Sequence, residues 1–244
     1  MKELAPNVRC EACHHNEATE SVLDIRRLEV SAQQRSPDWF KQRKKMITAS
    51  EMASVIGQNP YESRITLLRK KLGLLDNANN FFTQHGNDTE DIACQKYEDV
   101  TGHRVIPFGL LKSDNPPTSH IGGSPDGITS CGRLVEIKCP VTRKIIPGEV
   151  PKHYEAQLQT IMMVSGLTVA DFVQYHTTDD VFDITEVPVD PYWYERHKDK
   201  IAEFHAMLLE CRADPSKISK YYTPKPKRQK LTTYSQDYFD FIID

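Results

Sequence analysis

One short segment limits the folds open to this chain more than any other. Residues 134–139 read Leu-Val-Glu-Ile-Lys-Cys, an apolar run that a carboxylate and an ammonium group interrupt at alternate positions. Because side chains alternate between the two faces of a strand, Glu136 and Lys138 share one face while Val135 and Ile137 point into packing. Burying such charges without partners would be costly. The segment therefore predicts a central strand whose charged face serves a function.

A second short segment supplies another carboxylate. Residues 124–127 read Ser-Pro-Asp-Gly, and a turn at residues 130–132 separates them from the strand of Glu136. An antiparallel hairpin of this length brings Asp126 beside Glu136, with the ammonium group of Lys138 next to both. The spacing alone leaves two interpretations open, which are a surface hairpin with a salt bridge and a pocket that gathers negative charge.

Two converging carboxylates indicate a particular chemistry. Carboxylates held close together repel each other unless a cation neutralises them, and hard divalent cations prefer oxygen ligands. A bound Mg²⁺ ion can polarise a phosphoryl oxygen and lower the pKa of bound water, while Lys138 orients that water or stabilises the charge that develops at phosphorus. Asp126, Glu136 and Lys138 therefore predict hydrolysis of phosphodiester bonds with Mg²⁺, for which Mn²⁺ is expected to substitute.

The composition excludes several classes of protein. No run of about 18 apolar residues occurs, so a membrane-spanning helix is not expected. The six cysteines are scattered, which favours a reducing intracellular compartment over a disulfide framework. Cys10-x-x-Cys13 has no second such pair, so a structural zinc is not expected, although Cys131 or Cys139 could in principle complete a site. A basic stretch at residues 35–71 and an acidic one at 72–142 suit a protein that binds phosphates at one surface, although solvated helix faces would give the same distribution.

Changes in composition divide the chain into three parts. Residues 1–30 read as a polar leader, residues 31–222 as a folded domain, and residues 223–244 as a flexible tail that begins basic and ends acidic and aromatic. The basic run at residues 225–230 resembles a short nuclear-localisation or phosphate-binding segment, so both the cytoplasm and the nucleus remain open.

Periodicity and capping residues predict the regular elements. One helix is predicted to start at Ser36, and a second is predicted to start at Thr48 or Ser50 and to end at Gly57. A helix over residues 88–101 would have Asp88 or Thr89 as its cap. Further helices are predicted over residues 63–72, 153–165 and 191–211. Strands are predicted over residues 105–111, 121–128, 134–139, 169–176 and 182–189.

Four motifs follow one another along the folded part of the chain. They are Trp39…Arg43…Ile47-Thr48-Ala49-Ser50-Glu51, then His85-Gly86-Asn87-x-x-Glu90, then SPDG with LVEIKCP, then Tyr154-Glu155-Ala156-Gln157-Leu158-Gln159. In this order they resemble the lambda exonuclease and YqaJ-type viral recombinase family of PD-(D/E)xK nucleases. The resemblance covers roughly residues 36–207 and implies that residues 31–222 are a nuclease domain.

The resemblance implies a role for each residue near the metal. Asp126 and Glu136 would be the main metal ligands, with the backbone carbonyl of Ile137 as a further candidate. Glu90 would ligate a metal or hold a metal-bound water. Lys138 would position the nucleophilic water.

The resemblance also assigns residues that contact the substrate or support the site. Gln157 would hydrogen-bond near the metal or its neighbouring lysine. Arg43 and Ser50 match positions that hold a 5′-terminal phosphate, which suits an arginine fork beside a hydroxyl at a helix start. Arg143 is a candidate for the same pocket, although the local spacing departs from the family pattern.

The family precedent sets further expectations. The fold class would be α/β, with a restriction-endonuclease-like core in which helices flank a central mixed β-sheet. The activity would be a Mg²⁺-dependent exonuclease that degrades double-stranded DNA 5′-to-3′ from a phosphorylated end, in recombination or repair by single-strand annealing. The partners would be DNA ends, further copies of the chain in a ring-shaped trimer and a single-strand annealing protein, in a viral protein within its host cell.

Two alternatives remain open at this point. The chain could be an endonuclease of the same superfamily, which would cut covalently closed circular DNA. It could also be a catalytically inactive DNA-binding protein with a nuclease fold. The retention of Asp126, Glu136, Lys138 and Glu90 together argues against an inactive relic.

Overall fold

The computed structural model describes residues 18–31, 33–75 and 81–222, and for residues 81–88 it describes the backbone alone. The α-helices in these ranges are α1 (Glu20–Asp24), α2 (Pro37–Lys45), α3 (Met52–Val55), α4 (Arg64–Lys71), α5 (Phe81–Thr101), α6 (Lys152–Ser165) and α7 (Trp193–Ala213). The strands are β1 (Glu29–Ser31), β2 (Ile47–Thr48), β3 (Val105–Ile106), β4 (Leu110–Lys112), β5 (Ile121–Gly123), β6 (Gly127–Thr129), β7 (Leu134–Lys138), β8 (Val169–His176) and β9 (Val181–Pro188). Short 3₁₀ turns cover Ile25–Leu28, Ala49–Glu51, Pro116–Thr118 and Pro215–Lys220.

A mixed five-stranded sheet with the order β3-β6-β7-β8-β9 forms the centre of the fold. Strand β7 pairs antiparallel with β6 and parallel with β8, and residues 134–137 of β7 are all buried. Helix α5 covers one face through Ala93 and Tyr97, and helix α6 covers the other through Leu158 and Ile161. The predicted α/β architecture, with helices around a central mixed sheet and Glu136 on a central strand, is confirmed.

A second sheet of four short strands, in the order β1-β4-β5-β2, lies outside what the sequence predicted. The stretch 121–128 was expected to be one strand, but it contributes β5 to the small sheet and β6 to the large one. Pro125 stands at the break, where its missing N–H and fixed φ interrupt a hydrogen-bonded ladder. Pro107 separates β3 from β4 within the predicted strand 105–111 in the same way.

The helix predictions hold with shifted boundaries. Ser36 caps α2 by accepting a hydrogen bond from the Trp39 N–H, and Pro37 occupies the first turn as expected. Helix α5 begins at Phe81, so the expectation that Asp88 or Thr89 caps it is wrong. A residue that can cap a helix also fits a helix interior, so the pattern alone did not locate the first turn.

The segment that precedes α2 belongs to the folded domain. Val22, Ile25 and Leu28 are each at most 6% exposed and pack in the same core cluster as Phe204 of α7. Strand β1 pairs antiparallel with β4. The side chains of Val22, Ile25 and Leu28 are therefore buried in the core although these residues precede the predicted domain boundary at residue 30, which stays a prediction. Residues 1–17 and the predicted tail 223–244 lie outside the described residues.

None of the helices in the described ranges is long and apolar enough to cross a bilayer, as the sequence led us to expect.

Candidate active site

The alternation of side chains along β7 places Glu136. Val135 and Ile137 pack against α5, whereas Leu134 packs against α6 on the opposite face of the sheet. Glu136 shares the face of Leu134 and is 0% exposed. An acidic side chain is thus buried at the centre of the sheet, next to the helix that carries Gln157.

The turn between the two sheets brings a second carboxylate to the same place. Gly127 pairs with Val135, so Asp126 precedes β6 directly across from Glu136. The backbone N–H of Ile137 donates to Asp126 Oδ2 at 2.7 Å, which fixes the direction of this carboxylate. The hairpin expected from the sequence therefore exists, and it joins Asp126 to Glu136.

The two oxygens of Glu136 have different surroundings. Oε1 accepts a hydrogen bond from Lys138 Nζ and another from Gln157 Nε2, the latter at 2.5 Å. Oε2 is buried and has no hydrogen-bond partner among the described residues. A buried carboxylate oxygen without a donor is destabilising, so this atom keeps an unused capacity to bind a cation or a water molecule.

The electrostatics of the cluster favour an added positive charge. Burial and then the nearby carboxylate of Asp126 raise the pKa of Glu136, against the attraction of Lys138. Burial lowers the pKa of Lys138, but the carboxylates of Glu136 and Asp126 outweigh it and raise the pKa overall. One ammonium group therefore does not fully compensate two carboxylates.

The donor set fits a hard divalent cation. In residues 18–31, 33–75 and 81–222, no three His, Cys, Asp or Glu side chains are gathered as a complete cage. Mg²⁺ does not require one, because it commonly uses one or two carboxylates and completes its octahedron with water and substrate phosphate. Asp126 and the unpaired Oε2 of Glu136 supply such oxygens, whereas the described cysteines of this region would suit a softer metal.

Glu90 of α5 stands at the edge of this cluster. Its Oε2 pairs with Arg35 Nη2 at 3.0 Å. Burial and then Asp126 raise the pKa of Glu90, while Arg35 and Lys138 lower it. The carboxylate is thus within electrostatic reach of Asp126, as its predicted role requires, but its direct partner is an arginine that the sequence did not single out.

A basic group lies at the other end of the same region. Arg43 Nη2 donates to Ser50 Oγ at 2.9 Å and to Thr48 Oγ1 at 3.3 Å, and its guanidinium lies 4.4 Å from the centroid of the Trp39 ring. Burial lowers the pKa of Arg43, and Glu51 opposes this effect. The structure thus brings the guanidinium of Arg43 together with the hydroxyls of Thr48 and Ser50, and the phosphate-binding role expected of Arg43 and Ser50 stays a prediction.

One cavity contains both the basic and the acidic groups. Its volume is about 490 Å³, and its wall includes Arg43 and Ser50 together with Glu136 and Lys138. The remaining wall residues are Gln34, Arg35, Trp39, Phe40, Ala49, Glu90, Ser124, Asp126 and Gln157. A single bound molecule can therefore touch the guanidinium of Arg43 and a carboxylate pair at once.

Two predicted site residues differ from the others, because Arg143 lies outside the cavity wall and Ile137 contacts Asp126 through its N–H. Arg143 is not part of the cavity wall and donates to Gln174 Oε1 at 2.8 Å, so the structure does not bring it together with Arg43. Its guanidinium lies 5.9 Å from the centroid of the Tyr154 ring, and the ammonium group of Lys138 lies 5.4 Å from the same ring. The N–H of Ile137 is bound by Asp126, and the role predicted for its carbonyl stays a prediction.

The structure adds a buried lysine that sequence reasoning missed. Lys71 Nζ donates to the carbonyls of Arg43 at 2.9 Å and Met46 at 2.7 Å, and it pairs with Glu51 at 2.7 Å. Glu51 in turn accepts from the Thr48 N–H. Lys71 therefore links the end of α2 to the turn that carries Ser50, and nothing in the sequence RKK distinguishes it from its neighbour.

This chain is similar to a family of viral recombinases and to proteins of two viruses. The family model of the YqaJ-like viral recombinase domain matches residues 38–168. Among curated proteins, an uncharacterized protein of Acanthamoeba polyphaga mimivirus is 33% identical over 170 residues, covering 62% of this chain and 31% of that protein. A protein of African swine fever virus is 28% identical over 169 residues, covering 58% of this chain and 49% of that protein. This chain thus matches at most about half the length of these two relatives.

Solved structures extend the comparison. LHK-Exo, an alkaline exonuclease from Laribacter hongkongensis, superposes with a TM-score of 0.61 at 29% identity, covering 77% of this chain and 100% of that one. A second structure, LHK-Exo in complex with dAMP, gives a TM-score of 0.63 at 28% identity with the same coverage.

Proposed function

The chain belongs to the YqaJ-like viral recombinase family, and we propose that it is a divalent-metal-dependent DNA exonuclease. The observation that carries the proposal is the position of Asp126 beside a buried Glu136, whose Oε2 has no partner within the described part of the chain, in a cavity that Arg43 also lines. The similarity to an alkaline exonuclease over 77% of the chain supports the same activity.

The metal would be held by Asp126 and Glu136, with Glu90 as a further ligand or as the acceptor of a bound water. When bound, the ion supplies a Lewis acid that polarises the scissile phosphate and lowers the pKa of water. We propose Mg²⁺ as the natural ion, because its preference for a few carboxylates with water and phosphate suits this oxygen-only set, and Mn²⁺ as its substitute.

The protein groups around the carboxylates have separable roles. Lys138 keeps its proton, because Glu136 and Asp126 raise its pKa, and its Nζ can donate to an attacking water or to the phosphate. Gln157 Nε2 donates to Glu136 Oε1, which holds the carboxylate plane and leaves Oε2 free for the metal. Lys138 would thus act directly on the reaction, whereas Gln157 would position a ligand.

The direction of degradation is proposed from the basic end of the cavity. Arg43 and Ser50 would hold the 5′-terminal phosphate, which leaves the adjoining phosphodiester beside the carboxylates. Degradation would then run 5′-to-3′ from a phosphorylated end of double-stranded DNA. By family precedent, we further propose a ring-shaped homotrimer that acts with a single-strand annealing protein in recombination or repair.

The exonuclease proposal is tested with DNA of defined topology. We expect linear duplex with 5′-phosphate ends to be degraded in Mg²⁺ and covalently closed circles to remain intact. Efficient cutting of closed circles would contradict the exonuclease proposal and would favour an endonuclease of the same superfamily. Lys138→Ala should abolish cleavage while a gel-shift assay still shows DNA binding, and cleavage that persists would contradict the mechanism.

The proposed phosphate cradle of Arg43 and Ser50 is tested by substituting its arginine. We expect the intact protein to prefer a 5′-phosphate over a 5′-hydroxyl end, and Arg43→Ala to lower kcat/KM on the phosphorylated end about 10- to 100-fold, the value of a charge-assisted hydrogen bond. Lys41→Ala is the matched control, because Lys41 is an exposed base on the same helix. Equal rates on both ends in the intact protein would remove the cradle from the mechanism.

A further inference from the structure

Arg35 has a backbone conformation that its residue type disfavours. Its φ is +63°, in the left-handed region that glycine adopts freely and that side chains with a Cβ rarely occupy. The neighbours hold the turn in place: Gln34 Nε2 donates to the carbonyls of Phe108 and Pro125, each at 2.9 Å, and Ser36 Oγ donates to the carbonyl of Gln33 at 2.8 Å. The turn itself would be better served by glycine, so the reason for an arginine lies in its side chain.

The side chain of Arg35 reaches into the proposed active site. Its Nη2 lies 3.0 Å from Glu90 Oε2, and both residues line the cavity that holds Asp126 and Glu136. The side chain of Arg35 is 52% exposed and that of Glu90 is 29% exposed. An ion pair this open to water is weak, and its partners can exchange without a large penalty.

The charges of the cluster explain what this pair does in the absence of metal. Asp126 and Glu136 already place two carboxylates beside Lys138, and Glu90 adds a third. The guanidinium of Arg35 offsets part of this negative charge at the position where a divalent ion would otherwise do so. A metal ion and Arg35 therefore compete for Glu90, whereas a DNA phosphate and Glu90 compete for Arg35.

We propose that Arg35 is an exchangeable counterion that couples metal binding to DNA binding. In the metal-free site it pairs with Glu90. When a divalent ion takes over Glu90, the guanidinium is free to bind a phosphate of the DNA strand in the cavity. The proposal rests on the proposed function, since it assumes that metal and DNA meet at this site, but it concerns a residue to which that function assigned no role.

Metal binding without DNA provides the first test. Mn²⁺ is titrated into the intact protein and into Arg35→Gly, and free Mn²⁺ is measured by electron paramagnetic resonance. Removing the competing charge should tighten Mn²⁺ binding about two- to fivefold, the range expected for a partly exposed ion pair. Arg27→Ala is the matched control, because Arg27 pairs with Asp114 at 2.7 Å and does not line the cavity, and its Mn²⁺ affinity should not change.

A second variant separates the charge from the backbone. Arg35→Ala removes the same guanidinium but keeps a Cβ at φ +63°, so it should tighten Mn²⁺ binding as Arg35→Gly does while unfolding at a lower temperature than the glycine variant. Unchanged or weaker Mn²⁺ binding in both variants would overturn the proposal. An effect that appeared in only one of them would place its cause in the backbone and would also overturn it.

The coupling is tested with DNA in a background that cannot cut. In Lys138→Ala protein, Mn²⁺ should strengthen binding of a 5′-phosphorylated duplex, and adding Arg35→Gly should reduce this gain about two- to fivefold, because coupling between two ligands is reciprocal. An equal gain in both proteins would refute the coupling. If Mn²⁺ bound neither the intact protein nor its variants, the proposed function itself would be contradicted. If the intact enzyme bound Mn²⁺ and cut DNA, but Arg35→Gly changed neither the Mn²⁺ affinity nor the gain in DNA binding, only the counterion proposal would be refuted.

Discussion

Glu136→Gln is expected to stabilise the metal-free protein while it abolishes cleavage. The carboxylate is fully buried, and its Oε2 has no hydrogen-bond donor among the described residues. Burial and Asp126 raise its pKa even though Lys138 donates to it, so ionising Glu136 costs more in the folded protein than in the unfolded chain. Glutamine has nearly the same shape and carries no charge, and its Oε1 can still accept from Lys138 and Gln157.

The size of the effect follows from the unpaired oxygen. An unsatisfied buried polar group costs about 1–3 kcal/mol, and more when it is charged. The amide leaves an unpaired NH₂ in place of the oxygen, so part of this cost remains and we expect a gain of about 1–2 kcal/mol. For a domain of this size, such a gain raises Tm by about 2–8 °C.

The pH dependence has a definite sign. The folded-state pKa of Glu136 lies above its ordinary value of 4.5, so the ionised form destabilises the fold at neutral pH and this cost disappears as the pH falls toward 4.5. The advantage of Glu136→Gln should therefore be largest at and above neutral pH and should shrink on acidification.

Thermal unfolding in EDTA at several pH values measures the difference, and repeating the scan with Mg²⁺ provides the link to function. Mg²⁺ should stabilise the intact protein and have less effect on the variant, because one ligand is lost. A variant that unfolds at a lower temperature than the intact protein in EDTA at pH 8 would refute the reasoning, since the carboxylate would then be satisfied without a metal.

Two further predictions concern the support of the cavity and its acid sensitivity. Lys71→Met should lower the free energy of unfolding by about 2–4 kcal/mol in a urea titration, because it removes the ammonium group that pairs with Glu51 and donates to two carbonyls. Lys70→Met, which breaks the more exposed pair with Glu62, should cost less than about 1 kcal/mol, and equal costs would contradict this assignment. The rings of His120 and His205 stack with their centroids 3.8 Å apart, and burial and then His205 lower the pKa of His120 to about 4. Stability should therefore be lost as the pH falls from 6.5 toward 4. His205→Asn should reduce that loss in thermal unfolding at several pH values, and an unchanged acid transition would contradict the prediction.

The local pattern was enough to predict the strand that carries the chemistry. The alternation in residues 134–138 has a fixed period of two, so the shared face of Glu136 and Lys138 follows from geometry alone. The short spacing from Asp126 limited the partner to a hairpin, and β6 pairs with β7 accordingly. The cap at Ser36 was equally readable, because it depends on residues three positions apart.

Features that depend on distant contacts could not be predicted in this way. The division of residues 121–128 between two sheets follows from which strands each half pairs with, and β2, one partner of β5, is remote in sequence. Arg35 and Glu90 are 55 positions apart, and no local pattern in the sequence relates them. Residues 18–30 look polar on average, yet three apolar side chains spaced three apart bury one face of the segment.

The departures from local rules support the assignment of this cavity independently of the motifs. Among the described residues, Arg35 and Asp180 have positive φ without being glycine, and Asp180 lies in the turn between β8 and β9, where aspartate tolerates that conformation. Several buried side-chain atoms of the described residues have no hydrogen-bond partner. Oε2 of Glu136 is the carboxylate oxygen in this set, and the other atoms are nitrogens of arginine and histidine. The positive φ of Arg35 and the buried Oε2 of Glu136, which has no donor among the described residues, both occur in the wall of one cavity. Each of these features lowers stability, and a cation bound beside Glu136 would offset the second of them. Their joint occurrence in one wall therefore favours a functional role for this cavity.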